Sequence, residues 1–334
     1  MPLWPVYTGT NEPHDGIALL PPPPPWRAFN GGPVLDPPDA AADADAVSPD
    51  RTHRAETYRA TAQTVQLVNA ALYLRRPLLV TGPPGTGKSS LVYAVARELG
   101  LGPVLRWNIT SRSTLHDGLY QYDPLSRLYA ARNAPAAEAG IEDHLRLGPL
   151  GTALLPYARP RALLIDEIDK SDLDLPNDLL NVLEEGQYEI PELIRTARDT
   201  RTAEVMIDGT DQRVAVEGGR VRCRTFPFVV LTSNGEREFP PAFLRRCVTL
   251  RLRQPDDRHL ADIVRAHFDG EPDAYAQTLI SRFLSRVGGG DLATDQLLNA
   301  IYLARSSGLD VDSLDGLAEQ LMPYLSEASP ADAF

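Results

Sequence analysis

The run Gly82, Pro83, Pro84, Gly85, Thr86, Gly87, Lys88, Ser89 and Ser90 carries the densest chemical information in the chain. Up to Ser89 it fits GxxxxGK[ST], a spacing in which backbone N–H groups and a helix N-terminus cradle phosphate oxygens. The glycines let the backbone come close, Lys88 would reach the β- and γ-phosphates of a nucleoside triphosphate, and the Ser89 hydroxyl would bind Mg²⁺. A second group, Asp166 and Glu167, ends the apolar run Ala162–Ile165. Carboxylates at the C-terminal edge of a buried strand stand where open α/β sheets bind ligands. Asp166 would complete the Mg²⁺ shell there. Glu167 would orient and deprotonate the attacking water, a poor nucleophile without a positioned base.

Two further groups have a plain reading beside a chemical one. Asn234 ends the apolar run Phe228–Leu231 after Thr232 and Ser233. Its amide could hold the lytic water against the γ-phosphate, or it could simply form a turn with Gly235. Arg245 and Arg246 close a short segment that begins Phe239-Pro-Pro. They could cap a helix C-terminus, which the dipole favours. Alternatively, one of them could reach a neighbouring subunit's γ-phosphate and stabilise the charge of phosphoryl transfer. From this place in the chain an arginine does not serve its own site easily, so the second reading implies a ring of subunits.

These groups need strands and helices to hold them. Pro77–Thr81 reads as a buried strand, and Leu91–Leu99 as a helix that stops at Gly100. Thr61–Leu74 has the amphipathic spacing of a helix, with Val65, Val68 and Leu72 on one stripe. Pro103–Ile109, Ala162–Ile165, Phe228–Leu231 and Val248–Leu252 are further strands, and a helix opens near Pro176. Apolar strands alternating with helices predict an α/β fold with a parallel sheet flanked by helices, and the Gly82–Ser89 pattern makes it a P-loop NTPase. Between Ile190 and Arg224, the segments AEVMI, DGTDQ and RVAVE predict a β-hairpin insertion. His259–Phe268, Tyr275–Val287, Thr294–Ala304 and Leu314–Leu325 predict a C-terminal helical lid domain. The expected domains are a Pro-rich arm over 1–54, a nucleotide-binding domain over 55–255 and the lid over 256–334.

Composition bounds the rest. Twelve of the 30 prolines fall within the first 50 residues. Such a segment does not bury enough apolar surface to fold alone and reads as a tether. Trp4, Tyr7, Trp26 and Phe29 leave open a second reading, an arm anchored on the domain that follows it or on a partner. Lys plus Arg total 33 against 45 for Asp plus Glu, a formal charge of -12. That argues against a nucleic-acid binder, which usually carries a basic face, and leaves only a local patch near Arg220, Arg222 and Arg224. Cys223 and Cys247 lack metal-ligand spacing and read as structural thiols in a reducing compartment. With no signal pattern and no bilayer-length apolar run, the chain is expected to be soluble and cytoplasmic.

The four groups, in this order and followed by helices, resemble AAA+ ATPases. The finer resemblance is to the MoxR-like branch, through RPLLVTGPPGTGKSS, GPLGTALL, LLIDEIDKSDLDLPNDLLNVLEEG and LTSNGEREFPPAFLRRC. It covers about residues 55–310. The resemblance implies ATP and Mg²⁺ as cofactors, hydrolysis in a homo-oligomeric, hexameric ring, and chaperone-like remodelling of a partner, with a von Willebrand factor A domain as one form that partner takes. It also implies that Asn234 is sensor 1, that Arg246 rather than Arg245 is the arginine finger, and that the hairpin insertion faces the pore or the partner. Three departures stand out. Asp291–Leu297, where the third lid helix opens, lacks the branch's basic residue, so that either Arg282 or Arg286 substitutes or lid closure is less tightly coupled to the γ-phosphate. Gly235 replaces the commoner proline after sensor 1. The aromatics of Asp117–Tyr122 are out of order for a threading pore loop. A nucleotide-gated assembly switch and a nucleic-acid motor or restriction-type NTPase are the competing functions, and the choice of adenine or guanine stays open.

Overall fold

Leu78, Leu79 and Val80 carry no exposed surface, the expected fate of an apolar run too short for a helix and covered on both faces. In the computed structural model they lie in the first of eleven strands among the described residues: β1 (Leu78–Thr81), β2 (Leu105–Asn108), β3 (Tyr120–Tyr122), β4 (Leu145–Leu147), β5 (Ala162–Asp166), β6 (Gln187–Glu189), β7 (Thr202–Met206), β8 (Arg213–Glu217), β9 (Arg220–Arg222), β10 (Phe228–Ser233) and β11 (Val248–Arg251). The structure describes residues 4–36, 48–133, 140–196, 201–268, 270, 273–287, 293–307 and 311–322.

A parallel sheet of order β11-β1-β10-β5-β2 forms the centre. Its residues alternate between two apolar clusters, as the two-residue period of a strand requires. Leu79, Leu163, Ile165, Val229 and Leu231 face one helical layer, while Leu78, Val80, Leu164, Val230 and Leu250 face the other. The register Thr81↔Ser233 and Asn108↔Asp166 brings the C-terminal strand ends to a common edge. The helix Ala62–Leu74 starts at Thr61, whose hydroxyl accepts from the Thr64 N–H. The helix Ser90–Leu99 ends at Gly100 in the left-handed region, as its sequence predicts.

The insertion is more than a hairpin. β7 and β8 pair antiparallel as expected, but β7 also pairs with β4, giving a second sheet of order β3-β4-β7-β8, while β6 pairs with β9. Tyr120 is buried in that sheet, and its hydroxyl donates to Glu192 at 2.8 Å. After β11 come the helices Asp257–Phe268, Ala274–Val287, Thr294–Ser307 and Val311–Leu321, which pack around Leu260, Val264, Phe283 and Leu297. No helix among the described residues is long and apolar enough to cross a membrane.

Residues 4–36 of the arm lie along the α/β domain. Tyr7 is fully buried and Phe29 packs on the core, whereas Trp4 only edges Tyr73 and Trp26 is 76% exposed. Two of the four arm aromatics therefore act as anchors. The helix Pro49–Thr57 runs across the expected boundary after residue 54.

Candidate functional site

Between β1 and the helix Ser90–Leu99 the chain turns through Gly85 at φ +71°, a conformation L side chains rarely adopt. A Cβ there would also lie 2.6 Å from the Ala293 Cβ, so the loop is seated against the start of the lid helix Thr294–Ser307. Lys88 is 8% exposed and folds back across the loop, donating at 2.8 Å to the carbonyls of both Gly82 and Pro83. Burial pushes its ammonium below the ordinary lysine range, opposed by Asp169, Asp166 and Glu167.

β10 lies between the strand that leads into this loop and β5, so the loop and the acidic pair are joined through Thr232. The Asp166 Oδ1 accepts from the Ser89 and Thr232 hydroxyls, both at 2.7 Å, and the Arg106 guanidinium stands 3.3 Å from its Oδ2. Glu167 sits in the left-handed region at φ +61°, its N–H held by the Thr232 hydroxyl at 2.9 Å. Its carboxylate pairs with Lys170 at 2.8 Å, and that bond raises the Lys170 pKa. Asp169 is 3% exposed; its Oδ2 accepts the N–H groups of Asn234 at 2.9 Å and Glu236 at 3.2 Å. Asp169 thus ties the end of β10 to the turn after β5.

A cleft of about 1240 Å³ gathers Lys88, Ser89, Asp166, Glu167 and Asn234. Its far wall comes from the helix Pro49–Thr57 and the lid, where His53 and His267 meet edge to face at 5.0 Å. Arg245 and Arg246 lie outside it. Arg246 pairs with Glu184 at 3.4 Å and donates to the Ala242 carbonyl at 3.2 Å, while Arg245 is exposed. The two lid candidates do not resolve the missing basic residue. Arg282 forms a two-pronged pair with Asp315, at 2.7 and 2.9 Å, and holds that carboxyl below its usual range. The Arg286 side chain and Asp291 lie outside the described residues. The patch near Arg220 is largely spoken for, with Arg220 on Glu189 and Arg222 on Asn30.

The donor set suits the ligands expected for it. Ser89 and Asp166 present hard oxygens 2.7 Å apart, the type of donors Mg²⁺ takes. A buried ammonium beside a glycine turn at a helix N-terminus suits a polyphosphate. Sequence reasoning missed Arg106, Asp169, Lys170 and Thr232. Thr232 and Asp169 were accessible in principle, being a polar residue inside a buried strand and an acid three residues past Asp166. Lys170 stands three residues past Glu167, a spacing at which the two can pair, whereas Arg106 carries no local signal.

Residues 77–247, just over half of the chain, match the family model of the AAA domain (dynein-related subfamily). No curated protein matches the chain in sequence. Among solved structures, NtrX from Brucella abortus, in complex with ADP, is similar at 15% identity with a TM-score of 0.42. That match covers 83% of this chain and 57% of the NtrX chain.

Proposed function

The chain belongs to the AAA domain family, dynein-related subfamily, and from that premise we propose that it binds ATP with Mg²⁺ and hydrolyses it within a hexameric ring to remodel or assemble a partner protein. The observation that carries this reading is the convergence of Lys88, Ser89, Asp166, Glu167 and Asn234 on one cleft. Lys88 supplies a buried positive charge for the β- and γ-phosphates, and it must leave the Gly82 and Pro83 carbonyls to do so. Ser89 and Asp166 would hold Mg²⁺, which when bound withdraws charge from phosphate oxygens. Glu167 takes the proton of the attacking water. Asn234, fixed through its backbone by Asp169, holds that water in line.

Arg246 stands outside its own cleft, which suits a finger offered to the next subunit, with Arg245 the lesser candidate. The resemblance to the MoxR-like branch supports a protein partner, a von Willebrand factor A domain being one form that such a partner takes. A slow nucleotide-gated assembly switch is the second reading. It is favoured by the Glu167–Lys170 pair, which occupies the base with an ammonium.

The test measures turnover together with molar mass by light scattering, with and without ATP. Remodelling predicts turnover and an ATP-dependent rise to a ring-sized mass, stimulated by the partner. Binding without turnover at any mass would leave the switch. No binding at all would remove both readings.

A further inference from the structure

Arg27, in the proline-rich arm, is 3% exposed, yet the sequence around it reads as a tether. Its guanidinium lies against both Phe29 and Phe226, at 5.1 and 4.5 Å from their ring centres, and the two rings stack on each other at 5.8 Å. Each of its three nitrogens donates to a main-chain carbonyl at one of two helix ends. Nε and Nη2 donate to the Arg75 carbonyl at 3.1 and 2.7 Å, Nη2 to the Leu183 carbonyl at 3.0 Å, and Nη1 to the Glu184 carbonyl at 2.9 Å. Arg27 therefore caps the C-terminal ends of two helices, Ala62–Leu74 and Asp174–Glu185, one from each layer of the sheet.

Both ends lead onward to the same pair of arginines. Through the first, Arg75 sits in the left-handed region at φ +53° and donates to the Pro21 carbonyl of the arm at 2.6 Å. Its neighbour Arg76 donates to the Arg245 carbonyl at 2.8 Å. Through the second, the Glu184 carboxylate lies between two guanidinia. Oε2 is 3.5 Å from Arg27 Nη1, and Oε1 is 3.4 Å from Arg246 Nε. One route fixes the backbone that carries Arg246 and the other fixes its side chain.

A half-exposed ion pair contributes little to stability. Position is another matter: a guanidinium that must meet a γ-phosphate across a subunit boundary has to be aimed, and an error of about 1 Å is enough to cost about a hundredfold in rate.

We infer that the N-terminal arm braces the in-trans arginine: Arg27, through Glu184 and through Arg75–Arg76, positions Arg246 for the neighbouring subunit. This rests on the reading of Arg246 as the finger given above. Arg27 and Glu184 are positioning residues in it, since neither lines the cleft. Undocking of the arm then lowers hydrolysis in the next subunit while the subunit's own nucleotide affinity persists.

The experiment uses mixed rings of the full chain. Arg27→Ala and Glu184→Gln are each assayed alone and after mixing with Lys88→Ala subunits, which carry an intact arm and Arg246 but no working phosphate loop. Alone, both variants are expected to keep ATP affinity within about twofold while kcat falls about ten- to a hundredfold, Glu184→Gln at the lower end. Mixed, both regain turnover, because their intact phosphate loops now face a correctly aimed Arg246. Wild-type turnover in both variants alone would overturn the brace, and so would a loss that mixing does not restore. Glu184→Gln keeps the size of the side chain and the main-chain bonds of Arg27, so it decides the matter if Arg27→Ala does not fold. Arg246→Ala run in parallel separates the two failures. If it is not rescued by Lys88→Ala subunits, the in-trans reading falls; if it is rescued and the two brace variants are not, only the brace falls.

Discussion

The Ser89 hydroxyl donates a 2.7 Å hydrogen bond to Asp166, a residue 77 positions later in the chain. The bond joins the phosphate loop to the acidic end of β5 across the intervening β10, and Thr232 donates to the same oxygen from that middle strand at 2.7 Å. Both partners are oxygens of the kind that bind Mg²⁺, so the bond marks where the cation would be shared between loop and sheet.

Lys88→Ala and Glu167→Gln should separate binding from chemistry. Lys88→Ala removes the buried charge and is expected to weaken nucleotide binding by about ten- to a hundredfold, the worth of a charge-assisted hydrogen bond. Glu167→Gln leaves the cradle intact and removes the base, so affinity holds while turnover falls about 10²- to 10⁴-fold. Fluorescent-nucleotide titration and single-turnover kinetics measure the two quantities. Equal losses in both would mean that neither residue has the role proposed.

Asp169→Asn is expected to lower kcat about tenfold with little change in KM. Its carboxylate accepts two backbone N–H groups, from Asn234 and Glu236, and an amide accepts less strongly. The Asn234 side chain then loses its fixed backbone while Lys88 and Ser89 keep theirs. A rise in KM with kcat unchanged would place Asp169 in binding instead.

Glu98→Ala should release the start of the arm. The Glu98 side chain is fully buried and accepts from the backbone of Thr8, Gly9 and Asn11 and from the Thr8 hydroxyl, with the His14 ring at 3.2 Å. Truncation leaves several backbone N–H groups without an acceptor, at a cost of about 3 kcal/mol. The readout is limited proteolysis, with cleavage expected near residues 8–14 in the variant and protection in the wild type. Equal protection in both would show that other contacts hold this segment.

The two thiols should be silent in the folded protein. Burial pushes both Cys223 and Cys247 from the ordinary 9.0 up to about 12. At pH 8 alkylation should therefore be slow until denaturant is added. Between pH 9 and pH 12 the unfolded chain ionises its thiols and the folded chain does not, so the thiols' contribution to stability, complete below pH 9, is lost as pH rises through that window. Cys223→Ala with Cys247→Ala should lessen the fall in stability over that window, checked by denaturant midpoints at pH 8 and 10. An unchanged slope would assign the loss to other groups.

The sequence by itself determined the sheet and which residues gather at its C-terminal edge. Short apolar runs become buried strands, glycine-rich loops before helices bind anions, and acids at strand ends meet them, because each of these rests on local propensity and period. Phe228–Leu231, Ala162–Ile165 and Gly82–Ser89 were legible for that reason. What only the tertiary structure decided are relations between distant segments. The β-hairpin became part of a four-stranded sheet because β4 offered its edge to β7. Asp169 found the turn after β10 by an orientation that no spacing encodes. The arm illustrates the limit best. Proline-rich composition predicts a tether because such a segment lacks enough apolar surface to fold alone. Tyr7, Arg27 and Phe29 are instead ordered by cavities and carbonyls that belong to other elements, and acceptors such as Leu183 O and Arg75 O exist only once those helices have ended beside each other.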